Sequence, residues 1–230
     1  MTLIACLKAS TAIILASDSR GTIGDPRGLT AINDTQKKIW PIGKHGLGLA
    51  GASEMGATLL DELKGEVSGD DDIGIAKDKI VDKCMGLFDH WFRNTQPAQR
   101  PVVLMTLAGH RFADGVPEPI VYLLNSQLNF APQLIGHMPC LSGVPQYAVY
   151  LMHRYYDPSI SVEKAKALSH YLISETASQD PKVGGPVQMA IIKPEGYTEL
   201  TKEEITAIGD SNSELNRQLR EFFMTGVKVP

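Results

Sequence analysis

Apolar and polar positions in the first part of the chain predict strands followed by helices. Short apolar, β-branched runs over residues 3–7, 11–17, 38–42 and 46–51 predict two β-hairpins with well-buried strands. The stretch over residues 21–34 contains Gly24, Pro26 and Gly28 and is interpreted as a loop. Apolar residues spaced three and four apart then predict a helix over residues 52–65 and a longer helix that begins near Ile73 and extends to Trp91.

The second part of the chain repeats this order. Apolar runs over residues 102–108, 120–124 and 127–134 predict three more strands, with turns at residues 109–110 and 114–115. Two helices are predicted next, one introduced by residues 142–143 and one with Ser161 as its N-cap. Residues 187–200 predict a last hairpin, and the segment from Thr201 to Glu204 matches a capping box that opens a final helix.

The order of these elements predicts an α+β domain. Strands, two helices, strands, two helices, a hairpin and a helix favour sheets stacked on one another with helices on their outer faces. No repeat period and no interdomain linker interrupts the pattern. We therefore expect a single domain over residues 1–230.

Composition and charge argue against several classes of function. The chain has 230 residues, 43% of them hydrophobic, and a net charge of -4 at pH 7, whereas binding to nucleic acid or anionic membranes needs a basic surface. No apolar run approaches the roughly 20 residues that span a bilayer, and no basic leader segment opens the chain. We expect a soluble, cytoplasmic protein that binds neither nucleic acid nor membrane.

Potential metal and cofactor ligands are sparse. Cys6, Cys84 and Cys140 are odd in number and widely spaced, which argues against a disulfide framework or a structural zinc site and fits a reducing cytoplasm. The three aspartates at residues 70–72 have two interpretations, a cation site or carboxylates at a helix N-terminus, and the helix dipole favours the second. We expect no metal and no cofactor. The chain also lacks a glycine-rich phosphate loop, so any ATP-driven step needs a separate partner.

Thr2 is the candidate nucleophile. If Met1 is removed, Thr2 carries a hydroxyl and a free α-amine in one residue. An α-amine has a pKa of about 7.7 to 8, so a useful fraction is unprotonated near neutral pH and can accept the hydroxyl proton. The small side chain at position 2 favours removal of Met1.

Four short segments carry a resemblance to a known family. They are Thr-Leu-Ile-Ala from Thr2, Ala-Ser-Asp-Ser-Arg-Gly-Thr from Ala16, Gln-Lys-Lys-Ile from Gln36, and Gly-Leu-Ala-Gly-Ala from Gly48. In this order the chain resembles the β-type subunits of bacterial and archaeal proteasomes, within the N-terminal nucleophile hydrolases. The resemblance implies a four-layer αββα sandwich.

The resemblance also implies a catalytic set. Thr2 matches the nucleophile, Asp18 its acidic partner and Lys38 the buried cation, while Gly51 supplies an oxyanion-binding N–H, and Ser142 and Asp180 bond around the Thr2 amine. Thr22 matches the residue that holds the substrate backbone as an added strand. The specificity pocket, which a neighbouring subunit helps to form, is lined by small or neutral residues that favour a neutral or apolar residue before the cut: Gly21, Gln36, Leu49 and Ser53.

The chain departs from the family pattern near the expected amine. Val183 replaces a serine, Leu141 replaces a glycine, and the 21–34 loop is a few residues longer than usual. These departures bear on the level of activity, because the serine hydroxyl belongs to the hydrogen-bond network around the amine.

Three functions remain open at this stage. The first is a threonine-type peptidase in a self-compartmentalised homo-oligomeric ring, acting on peptides or unfolded proteins with a separate ATPase unfoldase. The second is a noncatalytic structural subunit that retains Met1, and the third is an amidase or transpeptidase with the same nucleophile. A Ser-His-Asp hydrolase is weaker, since none of the six histidines lies in a suitable motif.

Overall fold

The computed structural model of the chain describes residues 2–24 and 30–225. Met1 and residues 25–29 lie outside the described residues, so the predicted removal of Met1 and the centre of the predicted 21–34 loop fall there. Within the described ranges, no helix combines the length and the apolar character needed to cross a membrane.

The described residues form a mixed α+β fold of antiparallel sheets and helices. The strands are β1 (Leu3–Lys8), β2 (Ile13–Ser17), β3 (Gly21–Gly24), β4 (Thr30–Asn33), β5 (Ile39–Ile42), β6 (His45–Gly51), β7 (Val103–Ala113), β8 (Val116–Asn125), β9 (Gln133–Ile135), β10 (Cys140–Gly143), β11 (Gln188–Lys193) and β12 (Gly196–Glu199). The helices are α1 (Ser53–Glu62), α2 (Ile73–Trp91), α3 (Gln146–Tyr155), α4 (Val162–Gln179) and α5 (Lys202–Thr225).

Two five-stranded antiparallel sheets organise the fold. The first has the order β10-β1-β2-β11-β12 and the second the order β5-β6-β7-β8-β9, while β3 and β4 form a separate ribbon. In the first sheet, Ile4 lies opposite Ser17 of β2 on one side and opposite Ser142 of β10 on the other. The strand that begins directly after Thr2 is therefore paired on both of its edges.

Successive residues of β1 enter different apolar clusters, as the two-residue period of a strand requires. Leu3 packs with residues of β2, α3 and α4, whereas Ile4 packs with residues of both sheets. A third cluster joins the second sheet to α1 and α2, for example through Met105 and Phe88. Both faces of β1 are buried from Leu3 to Leu7, which explains the continuous hydrophobic run over these residues.

Most predicted helices and hairpins are found near their expected bounds. The capping box is formed: Glu204 N donates to Thr201 Oγ1 over 3.2 Å, and Thr201 N donates to Glu204 Oε2 over 2.7 Å. Asp72 caps α2, with Oδ1 accepting from Gly74 N at 2.7 Å and Ile75 N at 2.9 Å. A helix-terminal role thus accounts for one of the three aspartates.

The loop prediction for residues 21–34 is wrong at both of its ends. β3 and β4 pair there, with Thr22 opposite Ile32. The exposed fractions of Ile23 and Ile32 are 64% and 55%, so this ribbon lacks the buried face that produces a strong strand pattern. Glycine and proline in the sequence therefore dominated the prediction.

Three details of the second half are also wrong. The predicted turn at Gly109 lies inside β7, where Gly109 pairs with Ile120 of β8. The predicted strand over residues 127–134 is mostly a turn, in which the fully buried Phe130 has a φ of 57°. Residues 140–143 form β10 rather than only leading into a helix. Short edge strands and buried turns leave weak periodic signals, since tertiary packing determines them.

Candidate active site

Thr2 lies in the interior at the start of β1. Its exposed fraction is 6%, and its carbonyl oxygen accepts a hydrogen bond from Val144 N over 2.9 Å. This contact needs Gly143, which has a φ of 95° and whose Cβ, if present, would lie 1.9 Å from the Thr2 oxygen. The end of β10 therefore closes over Thr2 at a position that only glycine suits.

Asp18 and Lys38 form a buried ion pair beside Thr2. Lys38 Nζ donates to Asp18 Oδ1 over 2.8 Å, and the side chains are 3% and 0% exposed. Asp18 Oδ1 also accepts from Leu3 N over 3.0 Å, the amide that follows Thr2 in the chain. Burial lowers the pKa of the Lys38 ammonium from its ordinary value, and the Asp18 carboxylate opposes that change. One carboxylate oxygen thus ties the cation to the backbone of the candidate nucleophile.

Backbone groups complete the surroundings of this pair. Asp18 Oδ2 accepts from Arg20 N at 3.2 Å and from Gly184 N at 3.1 Å, and Lys38 Nζ also donates to Arg20 O at 2.7 Å. These hydrogen bonds compensate for the loss of water around two buried charges. Backbone hydrogen bonds therefore hold both charged groups of the pair in place.

A cavity of about 210 Å³ opens at Thr2. Of the residues predicted to take part in catalysis, Thr2, Lys38 and Gly51 line it. Four of the predicted substrate-binding residues line it as well, namely Thr22, Gln36, Leu49 and Ser53. The fifth, Gly21, lines an adjacent open groove of about 480 Å³ together with Thr22, Gln36, Gly51 and Ser53. The fold thus brings together residues that are far apart in the sequence.

Several residues that line the cavity were not predicted from the sequence to belong to the site. They include Lys37, Trp40, Gly56 and Ala57. Trp40 belongs to β5, and Gly56 and Ala57 belong to α1. The strand and helix patterns identify these elements, but no signal in the sequence shows which of their faces meets the cavity.

Gly51 adopts a backbone conformation that other residues rarely adopt. Its φ is 102°, and a Cβ at this position would lie 2.2 Å from the Val102 oxygen. The residue ends β6, and the following amide, Ala52 N, donates to Val102 O over 2.8 Å. Glycine is required here for both strand pairing and cavity shape.

Ser142 is buried in β10, beside the start of β1. It is 3% exposed, pairs with Ile4 across the β10–β1 ladder, and its Oγ lies 3.0 Å from Thr106 Oγ1 of β7. Nothing in the sequence singles out Thr106, because one threonine in an apolar strand is an ordinary strand residue.

Asp180 is engaged away from the cavity. It follows the end of α4, and its Oδ1 accepts from Lys182 N over 2.9 Å. Among the described residues that line the cavity at Thr2, Asp180 does not occur. Val183 is fully buried in the cluster between the first sheet and α4. This segment instead meets the site through Gly184 N and Asp18.

Arg20 fastens the 180–184 segment to the site. Its guanidinium binds both oxygens of Asp34, at 2.7 Å and 2.8 Å, and donates to Pro181 O at 3.0 Å. A Cβ at Gly184 would lie 2.6 Å from the Arg20 guanidinium carbon. Arg20 belongs to a motif segment quoted above, yet its contacts span residues distant in the sequence.

Comparison with known proteins finds similarity to solved structures. No protein-family model and no curated protein matches the chain, but 498 chains of solved structures do. One is Anbu, the ancestral β-subunit, from Yersinia bercovieri, with a TM-score of 0.73 and 12% sequence identity over 99% of this chain and 100% of that chain. The chain is similar in fold to Anbu. At this identity the likeness concerns the fold, and it extends over nearly the full length of both chains.

Proposed function

We propose that this chain is a threonine-type peptidase subunit of a self-compartmentalised oligomer. In this proposal residues 1–230 form one domain, a four-layer αββα sandwich of the N-terminal nucleophile type. The buried Asp18–Lys38 pair, tied to Leu3 N and adjoining a cavity that Thr2 lines, carries the proposal. The likeness to an ancestral β-subunit supports a proteasome-like subunit.

Thr2 performs both nucleophilic attack and proton transfer after loss of Met1. Its neutral α-amine accepts the proton of Oγ1 as the oxygen attacks the peptide carbonyl carbon. The Gly51 N–H stabilises the oxyanion of the tetrahedral intermediate. The amine then delivers the proton to the leaving nitrogen as the C–N bond breaks. Water, deprotonated by the same amine, releases the acyl group from Thr2.

The charges near Thr2 tune this amine. The Lys38 ammonium disfavours a second positive charge close by, so it holds the amine in its neutral form. Asp18 compensates Lys38 and orients it through the 2.8 Å contact. Removing either partner leaves a buried charge uncompensated. The proposed set also includes Ser142 and Asp180. Asp180 does not line the cavity, so in this proposal it acts through the 180–184 segment, whose Gly184 N donates to Asp18 Oδ2.

The substrate is a peptide or an unfolded protein. Thr22 holds its backbone as an added strand along the groove, while Gly21, Gln36, Leu49 and Ser53 receive the side chain before the cut. Those residues are small or neutral, which favours a neutral or apolar substrate residue. We further propose a homo-oligomeric ring in the cytoplasm, supplied by a separate ATPase.

The first prediction concerns processing and covalent labelling. The intact mass of the natively expressed protein should lack Met1, and the processed protein should gain the mass of one β-lactone probe. Thr2→Ala should abolish the gain, and Lys38→Ala should reduce the labelling rate by about 100-fold or more, because the amine loses its tuning charge. A protein that entirely keeps Met1 would rule out the peptidase.

A noncatalytic structural subunit is the second candidate. Val183 lacks the family's hydroxyl, and the Asp180 carboxylate is bound to Lys182 N. Retained Met1 together with a stable ring would favour this function. A processed protein that reacts with the probe but consumes peptides only in the presence of an added amine acceptor, with the acyl group joined to that amine in a new amide bond, would instead indicate a transpeptidase.

A further inference from the structure

Thr106 is a polar residue in an apolar layer. It is fully buried in β7, and Leu104 and Ala108, which precede and follow it on the same face, pack between the two sheets. Valine has nearly the same shape and fits an apolar layer without a polar group to satisfy. A buried hydroxyl is unfavourable unless it is hydrogen-bonded, so the reason for threonine should lie in its contacts.

Those contacts lead to the strand that holds Thr2. Thr106 Oγ1 lies 3.0 Å from Ser142 Oγ and 4.0 Å from Cys140 Sγ, both in β10. Gly48, the β6 partner of Thr106, keeps the sheets close, because its Cβ would lie 3.0 Å from Ile4 Cγ2. Thr106 therefore links the second sheet to β10 at Ser142, the residue that pairs with Ile4 of β1.

The Cys140 thiol and the hydroxyls of Thr106 and Ser142 each carry a proton that can be donated in a hydrogen bond. Burial raises the pKa of the Cys140 thiol to about 11, so the thiol is protonated at neutral pH and can donate weakly to Thr106. Either hydroxyl can donate across the 3.0 Å contact between Thr106 and Ser142. Where Thr106 is the donor, Ser142 keeps its own proton for a further acceptor. A hydroxyl that accepts a hydrogen bond becomes a better donor.

We propose that Thr106 is a positioning residue, whose hydroxyl orients that of Ser142 towards the Thr2 amine. The inference rests on the proposed function of Thr2. Ser142, as a donor, stabilises the neutral amine and so acts in the same sense as Lys38. Thr106 thus adds a hydroxyl to the proposed hydrogen-bond network around the Thr2 amine, in which Val183 lacks the hydroxyl of the family's serine.

Other titratable groups around Thr2 come from several elements. They are Lys37 and Lys38 before β5, both of which line the cavity, Asp18 and Arg20 after β2, Cys6 in β1, Cys140 in β10 and Asp180 after α4. Burial raises the pKa of Cys6 well above its ordinary value, so this thiol stays protonated as well. The Thr2 α-amine, with a reference pKa of about 7.7 to 8, is the group that the pH profile is designed to follow.

The second prediction tests Thr106 through the pH profile of β-lactone labelling. Thr106→Val should move the acidic limb to higher pH and slow labelling near pH 6.5 by about fivefold, the worth of one hydrogen bond. At high pH the rate should approach that of the unaltered protein. Thr106→Ser keeps the hydroxyl and should restore the profile.

A matched control separates positioning from a general loss of buried hydroxyls. Thr176 is fully buried in α4 and donates to Leu172 O over 2.7 Å. Thr176→Val therefore removes a similar group without touching Ser142, and it should leave the profile unchanged. A double-mutant cycle adds a second readout: Thr106→Val should have no further effect in a Ser142→Ala background.

The possible outcomes separate the positioning role of Thr106 from the proposed peptidase function of Thr2. If the unaltered protein labels at Thr2 and Thr106→Val keeps its profile and rate, the positioning role is wrong and the peptidase stands. Effects of Thr106→Val and Ser142→Ala that simply add would also overturn the role. If the unaltered, processed protein never labels, both proposals fail. Should Thr106→Val not fold, Thr106→Cys replaces it, with the same direction expected.

Discussion

At the scale of single residues, the site depends on a few positions where an ordinary side chain does not fit. Gly51 and Gly143 have φ values of 102° and 95°, and a Cβ at either would collide with a backbone oxygen. Both glycines lie next to Thr2 or line its cavity. Backbone shape at these two residues is therefore as much a part of the site as the charged pair.

The third prediction follows from Gly51. Gly51→Ala should lower the free energy of unfolding by about 1–3 kcal/mol, because alanine is strained at this φ, and it should abolish β-lactone labelling. Gly56 offers a matched control: it lines the same cavity, lies within α1, and its Cβ would meet Leu49 Cδ1 at an ordinary 3.6 Å. Urea unfolding of both variants decides the matter. Equal stability of the two would contradict the strain at Gly51.

At the scale of elements, local hydrogen bonds explain why the helices begin where they do. Ser161, Asp72 and Thr201 each accept hydrogen bonds from the first turn of the helix they precede. Such caps satisfy N–H groups that have no partner inside the helix. For this reason the starts of α2, α4 and α5 were predicted within a residue or two, whereas the start of α3, which has no side-chain cap, lies a few residues later than expected and the short strand β10 was not identified.

The fourth prediction concerns the start of α5. Thr201→Ala should reduce the free energy of unfolding by about 1 kcal/mol, because it removes one half of the capping box. Ser211→Ala, in the interior of the same helix, removes a hydroxyl that bonds Ala207 O and should change stability little, since alanine favours the helix. Thermal unfolding of the two variants provides the comparison. If they behaved alike, the box would have no measurable effect.

At the scale of the whole molecule, two buried histidines link stability to pH. His45 and His110 are 1% and 4% exposed, and the Nδ1 atom of each has no hydrogen-bond partner within the described residues. Burial and the nearby His45 lower the pKa of His110 to about 4, while Glu195 opposes the change. Burial also lowers the pKa of His45.

The fifth prediction is a loss of stability in mild acid. Unfolded histidine has a pKa of about 6.5, so below that pH the unfolded chain binds more protons than the native one, and stability falls as pH drops towards 4. His110→Gln should weaken this dependence, as measured by urea unfolding from about pH 7.5 to 5. His153 is exposed, and His153→Gln should leave the slope unchanged. An equal slope for the His110 variant and the unaltered protein would refute the link.

Much of the candidate site could be anticipated because its residues belong to short, ordered segments. Four of them lie at or next to the end of an apolar strand, namely Thr2, Asp18, Lys38 and Gly51. The packing of the strands brings these ends together, so that Thr2, Lys38 and Gly51 line one cavity and Asp18 pairs with Lys38. The resemblance supplied the expected roles of these residues and also that of Asp180. Asp180 does not line the cavity, and its carboxylate bonds to Lys182 N.

The sequence by itself determined most of the elements, since periodicity, caps and turn residues act within a few positions along the chain. Only the tertiary structure decided which faces meet. It paired β3 with β4, drew β10 against β1, and set Thr106 of one sheet 3.0 Å from Ser142 of the other. Contacts of this kind depend on how two sheets pack, and packing joins residues whose separation in sequence leaves no local pattern.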